Sequence, residues 1–217
     1  MQLETDRLII RHWQPTQDAR YALDIYGDSR VMTWLGDDRD ASVRQSERRL
    51  QRYVKQAHRG RGCWAVEQKD IGRVIGSVVL VDLPDLKADL KAAKPSLADG
   101  KAIAGGMPTD YVEIGWHFRP ASWGVGYATE AAFCIAQYGF EELCLPVLLA
   151  VLAPSNRRSH AVAKHLGMRD EGVTTRYYRG QALLLCKLDL PGLKQAKANW
   201  SPQWHPPLQA TGHCQLR

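Results

Sequence analysis

Apolar and polar positions alternate along some stretches of the chain and recur with helical spacing along others. Residues 3–13 read as a first strand, apolar across Leu8, Ile9 and Ile10 and polar on either side. Gln14-Pro15-Thr16 breaks it, and Thr16 is placed to cap a helix that carries Ala19, Leu23 and Tyr26 on one face. A second helix is predicted over 42–58. Val43, Leu50, Tyr53 and Val54 give it a partial apolar stripe, and Arg44, Arg48, Arg49, Arg52, Lys55 and Arg59 a basic face. Residues 63–66 and 74–81 make a hairpin about Lys69-Asp70-Ile71-Gly72-Arg73, with a β-branched second arm that reads as buried. Residues 84–110, rich in Lys, Asp, Ala, Gly and Pro, interrupt this rhythm. They read as a surface insertion bordering the substrate side, with a short helix near 86–93.

The rhythm then resumes. A strand over 111–118 leads through a glycine-bearing turn into a helix ending near Glu142. A strand over 147–151 follows, then a short helix over 155–166 closed by Gly167. Strands near 172–178 and 182–189 finish the sheet, and Pro191 ends it. The organisation is one domain over 1–190, with the insertion at 84–110, and a tail over 191–217.

Composition narrows the class. Hydrophobic residues make up 45% and charged residues 24%, a globular balance with enough apolar material for one large core. The formal charge of +6 suits an anionic partner, whether nucleic acid, an acidic surface or a phosphate-bearing cofactor. The basic helix lacks the aromatic interleaving of a nucleic-acid surface and reads as a solvated face or one wall of an acidic-substrate cleft. Cys63, Cys134, Cys144, Cys186 and Cys214 show no CxxC spacing, so free thiols in a reducing compartment are expected. No signal-peptide or membrane-spanning run occurs, which gives a cytoplasmic expectation.

The chemistry-bearing event is a strand, then Trp123-Gly124-Val125-Gly126-Tyr127-Ala128, then a helix. Two glycines let the backbone turn sharply and approach a ligand without Cβ obstruction. The unpaired N–H groups and positive end of the new helix suit a pyrophosphate. Taken alone the GxG is a weak signal, and a ligand-free glycine-rich strand-to-helix connection explains it better. It lacks the third glycine of a dinucleotide fingerprint and the GK[ST] of a P-loop. No histidine shows ligand spacing and no GxSxG elbow is present, so no metal and no serine nucleophile are assigned.

RPASWGVGYATEA, preceded by EIGWHF and followed by NRRSHAVAKHLGM, resembles the GNAT superfamily of acetyl-CoA-dependent N-acetyltransferases. The N-terminal ETDRLIIRHW is similar to the branch of ribosomal-protein N-terminal acetyltransferases, RimJ/RimL-like. The resemblance runs from Leu3 to about Asp189, the insertion excepted. It implies an α/β (α+β) fold, a mixed, mostly antiparallel twisted sheet with a split between its central strands, flanked by helices. It also implies acetyl-CoA as cosubstrate, held by strand-end backbone near Phe118, by the amides of Gly124, Val125, Gly126, Tyr127 and Ala128, and by Asn156 and Ser159. Family positions that often carry Arg, Gln or Lys are Ala121 and Val125 here, which removes side-chain contacts and keeps the backbone cradle.

The resemblance marks Glu113 as the base that takes the amine proton, and an ordinary strand-end charge is an equal alternative. Ser159 is the stand-in for a general acid, because Ala163 and Cys186 occupy positions where relatives carry Tyr. Tyr177 and Tyr178 are nearby alternatives, His117 is a candidate relay, and Asn156 reads equally as a helix cap. The implied function is acetyl transfer to a primary amine, either a protein N-terminus or a small molecule. A non-catalytic acyl-CoA-binding or interaction module is the alternative, and a nucleic-acid binder a third. Neither membrane nor nucleic acid is an expected partner, and a homodimer is left open.

Overall fold

The computed structural model describes residues 1–36, 38–83 and 111–200. Its eight strands form one sheet in the order β1-β2-β3-β4-β5-β6-β8-β7. The expected first strand is two, β1 (Gln2–Glu4) and β2 (Leu8–Arg11), paired antiparallel as a hairpin. The polar Thr5-Asp6-Arg7 makes the turn, and Thr5 Oγ1 accepts the amide of Leu8 at 3.0 Å. β3 (Gly62–Gln68) and β4 (Arg73–Asp82) are the expected hairpin, and β5 (Val112–Phe118) pairs antiparallel with β4. The insertion at 84–110 and its short helix lie outside the described residues.

Two helices cover one face. α1 (Pro15–Tyr26) begins with Pro at its first turn, and Gln14, not Thr16, is its N-cap residue. Asp18 supplies the cap by accepting the Gln14 amide at 2.8 Å, while the Thr16 hydroxyl bonds Glu47 at 3.1 Å. The short α2 (Ser29–Met32) is capped by Asp28. α3 (Val43–Gln56) is the helix expected over 42–58, and Ser42 is its N-cap. Its stripe is narrower than predicted, because Leu50 is buried while Val43 and Val54 are exposed. Its basic face is also divided, since Arg49 turns inward and pairs with buried Asp40 at 3.0 Å.

The other face carries α4 (Tyr127–Glu141), which crosses from β5 to β6 (Leu148–Leu152). Ten α4 residues are buried against the sheet, since the helix is apolar on nearly every side. α5 (Arg157–His165) follows, closed by Gly167 at φ +81°. β7 (Arg169–Thr174) lies earlier than predicted, because Tyr178 opens a 3-10 turn (Tyr178–Gly180) instead of ending a strand. β8 (Leu183–Leu188) completes the sheet. Pro191 ends the sheet and also opens α6 (Leu190–Asn199). Leu193 of that helix is buried, and Trp200 stacks on Phe133 of α4 at 4.8 Å, so the first part of the expected tail is packed.

β5 and β6 form the one parallel pair among the described strands, in register only at Val112–Leu148 and Glu113–Leu149. Beyond those two positions β5 continues on β4 and β6 continues on β8. The sheet therefore opens between its central strands.

Candidate active site

The phase of hydrogen bonding along β5 decides what faces the opening. Arg119 donates its amide to Ile75 O at 3.1 Å, so alternate peptide groups up to His117 point at β4. The intervening Trp116 and Phe118 turn their peptide groups towards the split. The Phe118 carbonyl is taken by the Trp123 indole N–H at 2.7 Å, while the ring of Phe118 sits buried where a Cβ on Gly76 would meet it at 2.4 Å. Glycine at 76 is thus required for the strand to reach this position.

The turn after β5 has the shape expected of it. Gly124 and Gly126 have φ of +81° and +85°, conformations that glycine adopts without strain. A Cβ added at Gly124 would meet nothing within 4 Å. Among the described residues, the amides of residues 124–129 donate to no protein acceptor, and the first turn of α4 lacks a side-chain cap. Six successive amides beside a positive helix end thus lack internal partners, which suits an anion.

Arg7 holds this turn in shape, a role that the sequence alone does not indicate. Its guanidinium donates to Val125 O at 3.1 Å, pairs with Glu130 Oε2 at 2.6 Å and covers the Tyr127 ring at 4.5 Å. Glu130 is buried and also accepts the Arg7 amide at 3.1 Å and the Thr5 hydroxyl. The β1–β2 turn is therefore a strut under the glycine loop. On the other flank Arg158 of α5 lies over the Trp123 ring at 4.7 Å.

Asn156 caps α5, its Oδ1 accepting the Ser159 amide at 3.2 Å. The capping role is present, and Ser159 is half-buried on the first turn of that helix. Ala163 is buried in the core, and Cys186 is buried with its sulfur donating to Asp170 at 3.6 Å. Burial and Asp170 push the Cys186 thiol up to about 12. Cys63, Cys134 and Cys186 are free thiols, while Cys144 is disulfide-bonded, which corrects the all-thiol expectation.

Glu113 sits where the two halves of the sheet last touch, paired with Val81 on one side and Leu149 on the other. Val112, Ile114 and Phe118 belong to the core under α4, so alternation puts Glu113 and His117 on the opposite face. Burial pushes the Glu113 carboxyl up to about 7, and a hydrogen bond from the Tyr178 hydroxyl opposes the rise. Tyr178 reaches it from the 3-10 turn with φ +47°, a conformation that non-glycine residues rarely adopt. His117 Nδ1 lies 3.3 Å from the Tyr26 hydroxyl on the same face. One face thus carries a carboxyl raised to about 7, and the adjoining loop carries backbone amides without internal acceptors.

Residues 7–169 match the model of the acetyltransferase (GNAT) domain. The chain belongs to the GNAT acetyltransferase family. A Bacillus subtilis (strain 168) protein named as the uncharacterized N-acetyltransferase YoaA is 28% identical over 176 residues, covering 81% of this chain and 86% of that one. A GCN5-related N-acetyltransferase from Brucella melitensis superposes with TM-score 0.67 at 21% identity, covering 92% of this chain and 85% of its own. Mycobacterium smegmatis RimJ in complex with CoA-disulfide superposes with TM-score 0.65 at 19% identity, covering 92% and 90%. At these identities the structural likenesses establish the fold. This GNAT chain is an acyl-CoA-dependent acetyltransferase. Among the described residues no helix is long and apolar enough to cross a membrane.

Proposed function

We propose that this GNAT enzyme acetylates a primary amine that reaches Glu113 from the face opposite α4. The observation that carries the reading is the set of unspent amides over residues 124–129 beside a carboxyl raised to about 7. Bound acetyl-CoA would supply an activated acyl thioester. Gly124, Val125, Gly126, Tyr127 and Ala128 would hold its pyrophosphate, and the backbone N–H and C=O of Trp116 its pantetheine arm. Asn156 has its side-chain N–H donors left over after capping α5, and these suit an amide carbonyl of the same arm. Glu113 accepts the proton that an ammonium must lose before it attacks, and a value near 7 suits that task at neutral pH. The Phe118 N–H is the donor placed for a developing oxyanion. Ser159 is a protic side chain on the first turn of α5, and a thiolate leaves without obligatory protonation near neutral pH.

A protein N-terminus is the favoured acceptor. The support is the RimJ/RimL-like ETDRLIIRHW, whose Arg7 is built into the cradle, and the fold shared with a RimJ. Labelled acetyl transfer to a panel of N-terminal peptides and small amines tests this. Peptide turnover exceeding that of amino acids, polyamines and aminoglycosides is the expected result. Exclusive turnover of small amines overturns the acceptor, and binding of CoA without turnover of any amine overturns the enzyme reading of these residues.

Arg7→Ala checks the cradle separately. It removes the strut beneath the glycine loop and leaves the buried Glu130 carboxylate without its guanidinium partner. The expected result is a loss of about 1–3 kcal/mol in stability, with a rise in the CoA Kd of about tenfold or more, read by chemical denaturation and calorimetry.

A further inference from the structure

Outside the acetyl-transfer site, three metal-ligating side chains converge from three elements. His160 comes from α5, Asp170 from β7 and Cys186 from β8. His160 Nε2 lies 2.9 and 3.0 Å from the two Asp170 oxygens, Cys186 Sγ lies 3.6 Å from Oδ1, and all three ligand atoms fall within 4.8 Å of one another. We propose that His160, Asp170 and Cys186 bind one borderline-soft divalent cation of the Zn2+ type, which ties α5 to the outer hairpin. This inference does not depend on the acceptor or on the role of Glu113.

The ligand set and the spacing both point to that class of ion. Bonds of about 2.0–2.3 Å to a tetrahedral Zn2+ give ligand-to-ligand edges of roughly 3.3–3.6 Å. The sulfur–oxygen separation already matches, and the nitrogen–oxygen pair needs only a small opening. Thiolate and imidazole donors favour zinc-like ions and disfavour Mg2+ and Ca2+, which take oxygen ligands. Cys186 is fully buried, His160 is half-buried and Asp170 is exposed, so the site is closed on the sulfur side and open to water at the fourth position. The buried Cys186 belongs to the same apolar core cluster as Ala163 of α5 and Leu188 of β8.

Binding balances in atoms and charge. The Cys186 S–H bond breaks, its proton passes to buffer, and the sulfur lone pair forms the metal bond. Neutral His160 gives a ring nitrogen lone pair, and ionised Asp170 gives an oxygen. One thiolate and one carboxylate then neutralise the dication. Lys164 on the same helix acts electrostatically on Asp170 and opposes a cation, so the affinity is expected to lie below that of closed four-ligand zinc sites.

The structural consequence concerns the acetyl-transfer site indirectly. α5 begins at Asn156 and Ser159, and its neighbour His160 becomes fixed to the β7–β8 hairpin when the ion is bound. Linear spacing conceals the set, because its three members lie on separate elements and share no motif.

The test uses the metal-stripped full chain titrated with CoCl2 in the absence of substrate. A near-ultraviolet thiolate-to-cobalt charge-transfer band, saturating at about one equivalent and displaced by ZnCl2, is expected. Cys186→Ser should abolish the band. Asp170→Asn, at an exposed position that leaves the core intact, should weaken Co2+ binding about tenfold or more, and this variant decides the question if Cys186→Ser fails to fold. Absence of the band in the parent chain overturns the site. So does a band that persists in Cys186→Ser, which would place the ion on Cys63 or Cys134, or Co2+ affinity unchanged in Asp170→Asn.

Discussion

Glu113→Gln is expected to lower kcat by about 10²–10⁴-fold, the range for losing a general base, with little change in the KM for acetyl-CoA. In the parent enzyme the rate should fall as pH drops below about 7, because only the ionised carboxyl accepts a proton. The variant should lack that acidic limb, and initial rates across pH separate the two. Stability should move in the opposite sense. Between the ordinary carboxyl value of 4.5 and about 7 the unfolded chain is ionised at this position, whereas the folded carboxyl keeps its proton. The native state therefore binds the extra proton, and stability declines as pH rises through this window. Glu113→Gln avoids that decline, so it should melt above the parent at pH values beyond 7 and lose the advantage towards 4.5. A variant that loses activity without the change in pH profile would assign Glu113 a packing role.

Gly124→Asp is expected to raise the Kd for CoA by about 10²-fold or more. A carboxylate placed about 4 Å from a phosphate costs roughly 4 kcal/mol at the effective dielectric of a protein surface. Asp and Asn tolerate positive φ better than other side chains, and nothing stands within 4 Å of a Cβ here, so the loop should keep its shape. Gly124→Asn is the neutral companion and should bind CoA within about tenfold of the parent. Calorimetry on both variants isolates charge from backbone strain. Equal losses in the two would mean that the loop conformation, rather than an anion, sets the effect.

The glycine loop is legible in the sequence because its signal is local. Gly124, Gly126 and the helix opening at Tyr127 are contiguous, and the structure gives them the sharp turn and uncapped helix start that their order implies. The split sheet follows from the family resemblance. Arg7 is illegible for the opposite reason, since its partners Val125 and Glu130 lie more than a hundred positions away and an arginine near a strand start reads as a solvent charge. The break in the first strand is masked by the continuous apolar run of Leu8-Ile9-Ile10, which outweighs the turn signal of Thr5-Asp6-Arg7. Tyr178 reads as a strand tyrosine. Its positive φ, set by the 3-10 turn, is what aims the hydroxyl at Glu113, and no pattern of apolar positions encodes that. Likewise Arg49 reads as part of a basic stripe, whereas Asp40, outside the helix, draws it inward.

Only two residue pairs, Val112–Leu148 and Glu113–Leu149, stitch β5 to β6. The polypeptide is accordingly two half-sheets sharing a short seam and spanned by α4. Sequence drift in the outer half, where Tyr178 lies, leaves the strands β1–β5 and the glycine turn at Gly124–Gly126 undisturbed. Such an architecture lets a lineage exchange one nucleophile for another while inheriting its acyl donor unchanged.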